Sequence, residues 1–157
     1  MPEALQKKLE YEIQQIDRLQ ESFQPLMDVV TVREPDLIEL SALATVLHSF
    51  YGGVENIFVT IAKNTDGKLP TGTKWHKDLL DQMSRATTNR SAVVNDRLHS
   101  ELMGFLSFRH FFRNSYAFQL DWEQMGPLIR ALPGTWNELK RCFAELISVF
   151  IEDADDA

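Results

Sequence analysis

The sequence predicts an all-α, up-and-down bundle of four to five helices in a single domain spanning residues 1–157. Three observations carry this prediction. Apolar residues recur at three- and four-residue steps over long stretches, the signature of helices with one buried face. No stretch alternates with the period of two that a half-buried strand requires. With 7 glycines and 6 prolines in 157 residues, the chain has too few turn formers for a loop-rich β fold. That length suits one domain with its own core, and neither an internal repeat nor a linker interrupts it.

The elements follow in chain order. From Glu3 to about Phe23, the residues Leu5, Leu9, Ile13, Ile16, Leu19 and Phe23 form one stripe. Pro25 is expected to kink or interrupt this helix, with a short continuation to about Val30. Thr31–Pro35 is a connection. Asp36 with Glu39 three residues on has the pattern of a capping box, and opens a helix to about Asn64. That helix is apolar over much of its surface (Leu37, Leu40, Ala44, Leu47, Tyr51, Val54, Phe58 and Ile61 along one stripe, others beside it), so it is the central one. Gly52-Gly53 inside it suits a close helix crossing. His48 and Tyr51 each read as a core residue with a satisfied polar tip. After the turn-rich segment Thr65–Thr73 comes a short helix from Trp75 to about Thr87, where His76 reads as a surface or capping residue. Thr87–Ser91 is a loop. A third long helix runs from about Asn95 to roughly Phe118. Leu120–Trp122 is a turn whose Asp121 can cap the next helix. Pro127 and Pro133-Gly134 are expected to break the C-terminal region. The last helix starts near Thr135, and the acidic tail Glu152–Ala157 is expected to fray.

Composition narrows the function. A net charge of −7 argues against a generally basic nucleic-acid binder. Yet between Lys74 and Arg113 there are 7 Lys/Arg against 4 Asp/Glu, the one net-positive part of the chain. The single cysteine, Cys142, permits no internal disulfide and reads as a small buried hydrophobe. The N-terminus carries no secretory signal, and no apolar stretch approaches a membrane span. The expected location is the cytoplasm. No phosphate-binding glycine loop, metal-ligand pair or nucleophile elbow is present. The inward Glu-x-x-His pairs of ferritin-like bundles are missing too. Neither a metal nor any other cofactor is implied.

What remains is the segment Phe105–Trp122, where Arg109, His110, Arg113, Asn114 and Tyr116 sit in a run of phenylalanines. At about 100° per residue, Leu98, Leu102, Phe105, Phe112 and Tyr116 share a stripe, with Arg109 in its middle and Arg113 at its edge. An arginine on a core-facing stripe either pairs with an acid, Glu55 or Glu39 being the candidates, or lines a polar cleft. Four residues apart on a helix, Arg109 and Arg113 can grip one phosphate, which makes them candidate RNA-binding residues. Metal-free RNA cleavage needs a base near the ribose 2′-hydroxyl, cations for the phosphorane and an acid for the leaving oxygen. His110 supplies the proton-transfer chemistry, but points about 100° from Arg109. A second copy across a two-fold axis can bring the groups together.

The run Phe108–Trp122 resembles the signature of HepT-like proteins of the HEPN superfamily. Leu47–Glu55 and Trp75–Leu80 add to the likeness, which spans nearly the whole chain. The resemblance implies an all-α HEPN-like bundle, usually a homodimer, that serves as the toxin of a prokaryotic toxin–antitoxin pair. It further implies a metal-independent ribonuclease acting on RNA, and a minimal nucleotidyltransferase as antitoxin. In some systems that antitoxin adds AMP to a tyrosine near the toxin's active site. The family motif reads Arg-Asn, three variable residues, His, one variable residue, Tyr. Arg113 and Asn114 match its start, whereas Phe118 and Leu120 occupy the histidine and tyrosine positions. His110 and Tyr116 lie close by to substitute, Tyr116 also as the modifiable tyrosine. Two accounts follow: a rearranged ribonuclease site, or a non-catalytic module that binds a nucleotidyltransferase.

Overall fold

The computed structural model describes residues 2–156. It holds five α-helices: α1 (Pro2–Val29), α2 (Leu37–Ile61), α3 (Trp75–Met83), α4 (Asp96–Arg113) and α5 (Trp122–Asp156). A π-helical turn, Ala62–Asp66, extends α2, and a 3-10 turn, Ala117–Gln119, precedes α5. No strand occurs among the described residues; the only extended pairing there is the bridge of Thr87 to Arg90. The all-α bundle expected from periodicity is what forms.

α2 is central because it is apolar over most of its surface, with Thr45, Ser49 and Asn56 left on its exposed side. It packs against α1, α3, α4 and α5, and buries Leu40, Leu43, Leu47, Phe50, Tyr51, Val54, Ile57, Phe58 and Ile61 among others. By length and composition, Leu37–Asp66 would even cross a membrane, which corrects the expectation that no stretch comes near that length. Its apolar faces are instead spent on its neighbours. Phe50 meets Phe105 of α4 and Trp136 of α5 edge-on, with ring centroids 5.1 and 6.1 Å away. Trp136 donates from Nε1 to Asp17 of α1 at 2.7 Å, so the buried indole N–H is satisfied. The start of α2 is capped as its sequence reads: Glu39 N–H donates to Asp36 Oδ1 at 2.8 Å, and Asp36 N–H to Glu39 Oε1 at 3.0 Å.

Five expectations about the elements need correction. Pro25 does not interrupt α1, which is helical through to Val29. α3 ends at Met83 rather than Thr87, because Ser84 caps it. Pro127 and Pro133 lie inside one continuous helix. A proline in mid-helix costs roughly 3 kcal/mol. The apolar series Met125, Ile129, Leu132, Trp136, Leu139, Phe143 and Leu146 runs straight through both prolines and is buried along its whole length. That burial outweighs the lost hydrogen bonds. The acidic tail is helical to Asp156, and Ala157 lies outside the described residues. The fifth correction, the end of α4, belongs to the site below.

The two glycines of α2 differ. A Cβ at Gly53 would lie 2.8 Å from Ile16 Cγ1, so this glycine sets the close approach of α1 to α2; a Cβ at Gly52 would meet nothing within 4 Å. Gly52→Ala should therefore stabilise by about 0.5–1 kcal/mol through helix propensity. Gly53→Ala should fall about 1–2 kcal/mol below it, as overpacking against Ile16 cancels that gain. Urea unfolding of the two variants decides the matter; equal stabilities would mean the crossing has room to spare.

Candidate functional site

α4 begins with Asn95, whose side chain accepts from Leu98 N–H at 2.8 Å. It ends at Arg113, not near Phe118. Asn114 stops it: the side-chain Nδ2 turns back to donate to the His110 carbonyl at 2.9 Å. Tyr116 is then extended and leads into the 3-10 turn, its N–H donating to Gln119 Oε1 at 2.7 Å. Asp121 caps α5 through Glu123 N–H at 3.0 Å, as expected.

This early stop divides the candidate residues. Leu98, Leu102 and Phe105 are buried, and Phe112 is half-buried, so the core stripe is real up to Arg113. Arg109 sits on it, half-buried, with its Nε enclosed and without a hydrogen-bond partner. Arg113 is exposed at the helix end. His110 is exposed, and its recorded role is the carbonyl that Asn114 caps. Tyr116, beyond the helix, is 72% exposed and stacks flat on Phe118, with centroids 5.6 Å apart and planes 4° from parallel. Leu120 is buried.

The acids proposed to neutralise Arg109 are engaged elsewhere. Glu55, 5% exposed, bonds His76 Nδ1 at 2.7 Å. Glu39 holds Arg33 through two bonds of 2.7 and 2.8 Å. Those bonds and the capping N–H of Asp36 pull its carboxyl down to about 2. Among the described residues, no carboxylate lies within salt-bridge distance of Arg109 or Arg113.

What does face the two arginines is His48 of α2. Its ring lies 5.3 Å from that of Phe112. Burial first, then Arg109, then Arg113, push its imidazole below the usual histidine value. Its Nδ1 is enclosed and unpartnered, so the satisfied tip expected of a core histidine is absent. Leaving a buried polar group unpaired costs about 1–3 kcal/mol. Among the described residues two such side-chain atoms occur, and both belong to this corner of the molecule. Deeper along the same face, Tyr51 is buried; desolvation pushes its phenol far up, with Glu55 and Asp81 adding to that and Arg109 opposing it.

The four histidines thus meet three fates. His76 is half-buried, stacked on Trp75 at 3.7 Å and paired with Glu55, not a surface cap. His99 of α4 bonds Asp81 of α3 at 2.7 Å. His110 faces solvent. His48, on another helix, is depressed by both guanidiniums, Arg109 and Arg113. The sequence carried a signal for it: His48, Tyr51 and Glu55 recur at three- and four-residue steps on an otherwise apolar helix, a polar stripe facing α3 and α4.

A cleft of about 760 Å³ runs along the other flank of α4, between Ser107, Phe108 and Phe111 and the start of α5 at Asp121 and Glu123. It contains none of the five candidate residues. Among the described residues no cluster of three or more His, Cys, Asp or Glu is gathered as a metal ion would need.

No curated protein and no solved structure matches the chain. A family model described as HepT-like protein matches residues 42–150, a span that includes His48, Arg109, Arg113 and Tyr116. That match covers well over half of the chain, and the chain belongs to the HepT-like proteins of the HEPN superfamily.

Proposed function

We propose that the protein is the toxin component of a prokaryotic toxin–antitoxin system: a metal-independent endoribonuclease, working in the cytoplasm as a homodimer and neutralised by a nucleotidyltransferase antitoxin. One observation carries the reading. Arg109 and Arg113, one helical turn apart, have no carboxylate within salt-bridge distance among the described residues, and both depress the imidazole of His48. Two such guanidiniums suit a phosphodiester and the charge that builds on it during cleavage. Arg113 and Asn114 also match the start of the family motif. In this reading Arg109 and Arg113 bind RNA, and His110, Asn114 and Tyr116 complete the site at the helix end. Tyr116, 72% exposed, is the residue an antitoxin would modify. The exposed rings of Phe111, Tyr116 and Phe118 suit a protein partner at that end.

The test is incubation of the purified chain with RNA in excess EDTA. Cleavage is expected, leaving 2′,3′-cyclic phosphate and 5′-hydroxyl ends. Full activity in an Arg113→Ala, His110→Ala double variant would refute these roles. A second reading has its own observation: Phe118 and Leu120 fill the motif's histidine and tyrosine positions, and His110 stands in solvent. On that reading the bundle is a non-catalytic module that binds a nucleotidyltransferase. It requires a stable complex with the product of an adjacent nucleotidyltransferase gene, and no cleavage.

A further inference from the structure

Two enclosed side-chain nitrogens among the described residues lack a partner, His48 Nδ1 and Arg109 Nε. They come from different helices, α2 and α4, which meet here where the His48 ring lies 5.3 Å from that of Phe112 and Arg109 acts on the His48 imidazole. Elsewhere the fold satisfies such groups with care. The buried guanidinium of Arg90 has five recorded bonds, and the indole of Trp136 has its carboxylate. A corner that gathers an imidazole and two guanidiniums, and leaves them unpaired, is built for a group supplied from outside.

We propose that His48 is the catalytic base of this site, taking the proton of a ribose 2′-hydroxyl while Arg109 and Arg113 hold the adjacent phosphodiester. The proposal rests on the ribonuclease reading above. A base must be unprotonated when substrate arrives. Partial burial, then Arg109 and Arg113, shift the His48 imidazole towards its neutral form. With Nδ1 enclosed and the ring half-buried, Nε2 is the nitrogen left to exchange a proton. The face of Phe112 at 5.3 Å limits how the ring can turn. In the reaction the 2′-oxygen gives its proton to His48 and forms a bond to phosphorus. The bond from phosphorus to the 5′-oxygen breaks, and that oxygen takes a proton from water. His48 then releases its proton to solvent. The products are a 2′,3′-cyclic phosphate and a 5′-hydroxyl, with no change in oxidation state. All three groups belong to one chain, so the base need not come from His110 or from across a dimer.

The experiment compares full-length wild type with His48→Gln and His48→Ala in EDTA. It reads RNA cleavage, and separately the binding of a 2′-O-methyl oligoribonucleotide of the same sequence, which lacks the attacking hydroxyl. Both variants should lose about 10²–10⁴-fold in kcat, with affinity for the 2′-O-methyl strand changed less than about threefold. Added imidazole should restore the His48→Ala rate at least about tenfold, a rescue that a misfolded chain cannot show. Retention of the wild-type rate by His48→Gln overturns the proposal and leaves the ribonuclease reading standing. Loss of rate and binding together, with no imidazole rescue, overturns it by making His48 a prop. Wild type that binds the oligonucleotide without cleaving RNA overturns this proposal and the ribonuclease reading together.

Discussion

Arg90→Met is expected to remove about 3–5 kcal/mol of folding stability, a large fraction of the roughly 5–15 kcal/mol a domain has to lose. Arg90 lies in the loop between α3 and α4, and its side chain is 1% exposed. Its Nε and Nη2 hold the two carboxylate oxygens of Asp66 at 2.8 and 2.6 Å. Nη1 donates to the carbonyls of Arg85 and Ser91 at 2.8 and 3.0 Å. Asp66 ends the π-helical turn after α2, so this one guanidinium ties the end of the central helix to the loop that delivers α4. Methionine fills similar volume but leaves the Asp66 carboxylate, 4% exposed, with only Gln82 and Thr65 as side-chain partners. Urea unfolding at neutral pH measures the loss; less than about 1 kcal/mol would mean the carboxylate finds water or protonates at little cost. The double variant Asp66→Asn, Arg90→Met should lose less than the sum of the two singles, since neither then strands a charge.

The same pair sets an acid limit. Burial pushes the Asp66 carboxyl up, but hydrogen bonds from Arg90, Gln82 and Thr65 outweigh it, and the net direction is down. A carboxyl that is more acidic in the folded chain than in the unfolded one stabilises above the ordinary aspartate range. That contribution fades as pH falls through the range towards the folded value. Wild type should therefore lose stability on acidification below about pH 4, and Arg90→Met should lose less.

How far the sequence could be read follows the range of each interaction. Local rules held. The capping box at Asp36 and Glu39, the cap at Asp121 and the central rank of α2 all depend on residues within a few positions of one another. The glycine pair suited a crossing, but only contact with Ile16, far away in the chain, decides that Gly53 makes it. The end of α4 was misplaced because Phe111, Phe112 and Phe118 prolong an apolar wheel, whereas the stop depends on the Asn114 side chain folding back. The prolines of α5 looked like breaks because the burial that overrides them is tertiary. Within the candidate site, the four-residue spacing alone puts Arg109 and Arg113 one helical turn apart. His48 was not read as their companion, because the proximity is between helices and no local window contains it. The acids proposed to neutralise Arg109 illustrate the same limit, since His76 and Arg33 had already claimed them.

Arg109→Met should behave in the opposite way to Arg90→Met, with stability unchanged or raised by about 1 kcal/mol and RNA cleavage reduced about 10²–10³-fold. The contrast comes from what each guanidinium touches. Arg90 is fully bonded, so removing it orphans Asp66. Arg109 holds no carboxylate among the described residues, and its Nε is enclosed without a partner. Methionine there strands no opposite charge, relieves an unpaired donor and keeps the aliphatic stem that packs on the core stripe. Stability gained on deleting a charged residue marks a position held for function at the expense of folding. Two measurements decide it. Urea unfolding gives the stability, and a loss beyond about 2 kcal/mol would make Arg109 a structural residue. Thermal unfolding with a saturating 2′-O-methyl oligoribonucleotide gives the binding, because a ligand of the native state raises its melting temperature. Wild type should show that rise and Arg109→Met should lose most of it. An equal rise in both would place the phosphate elsewhere and remove Arg109 from the site.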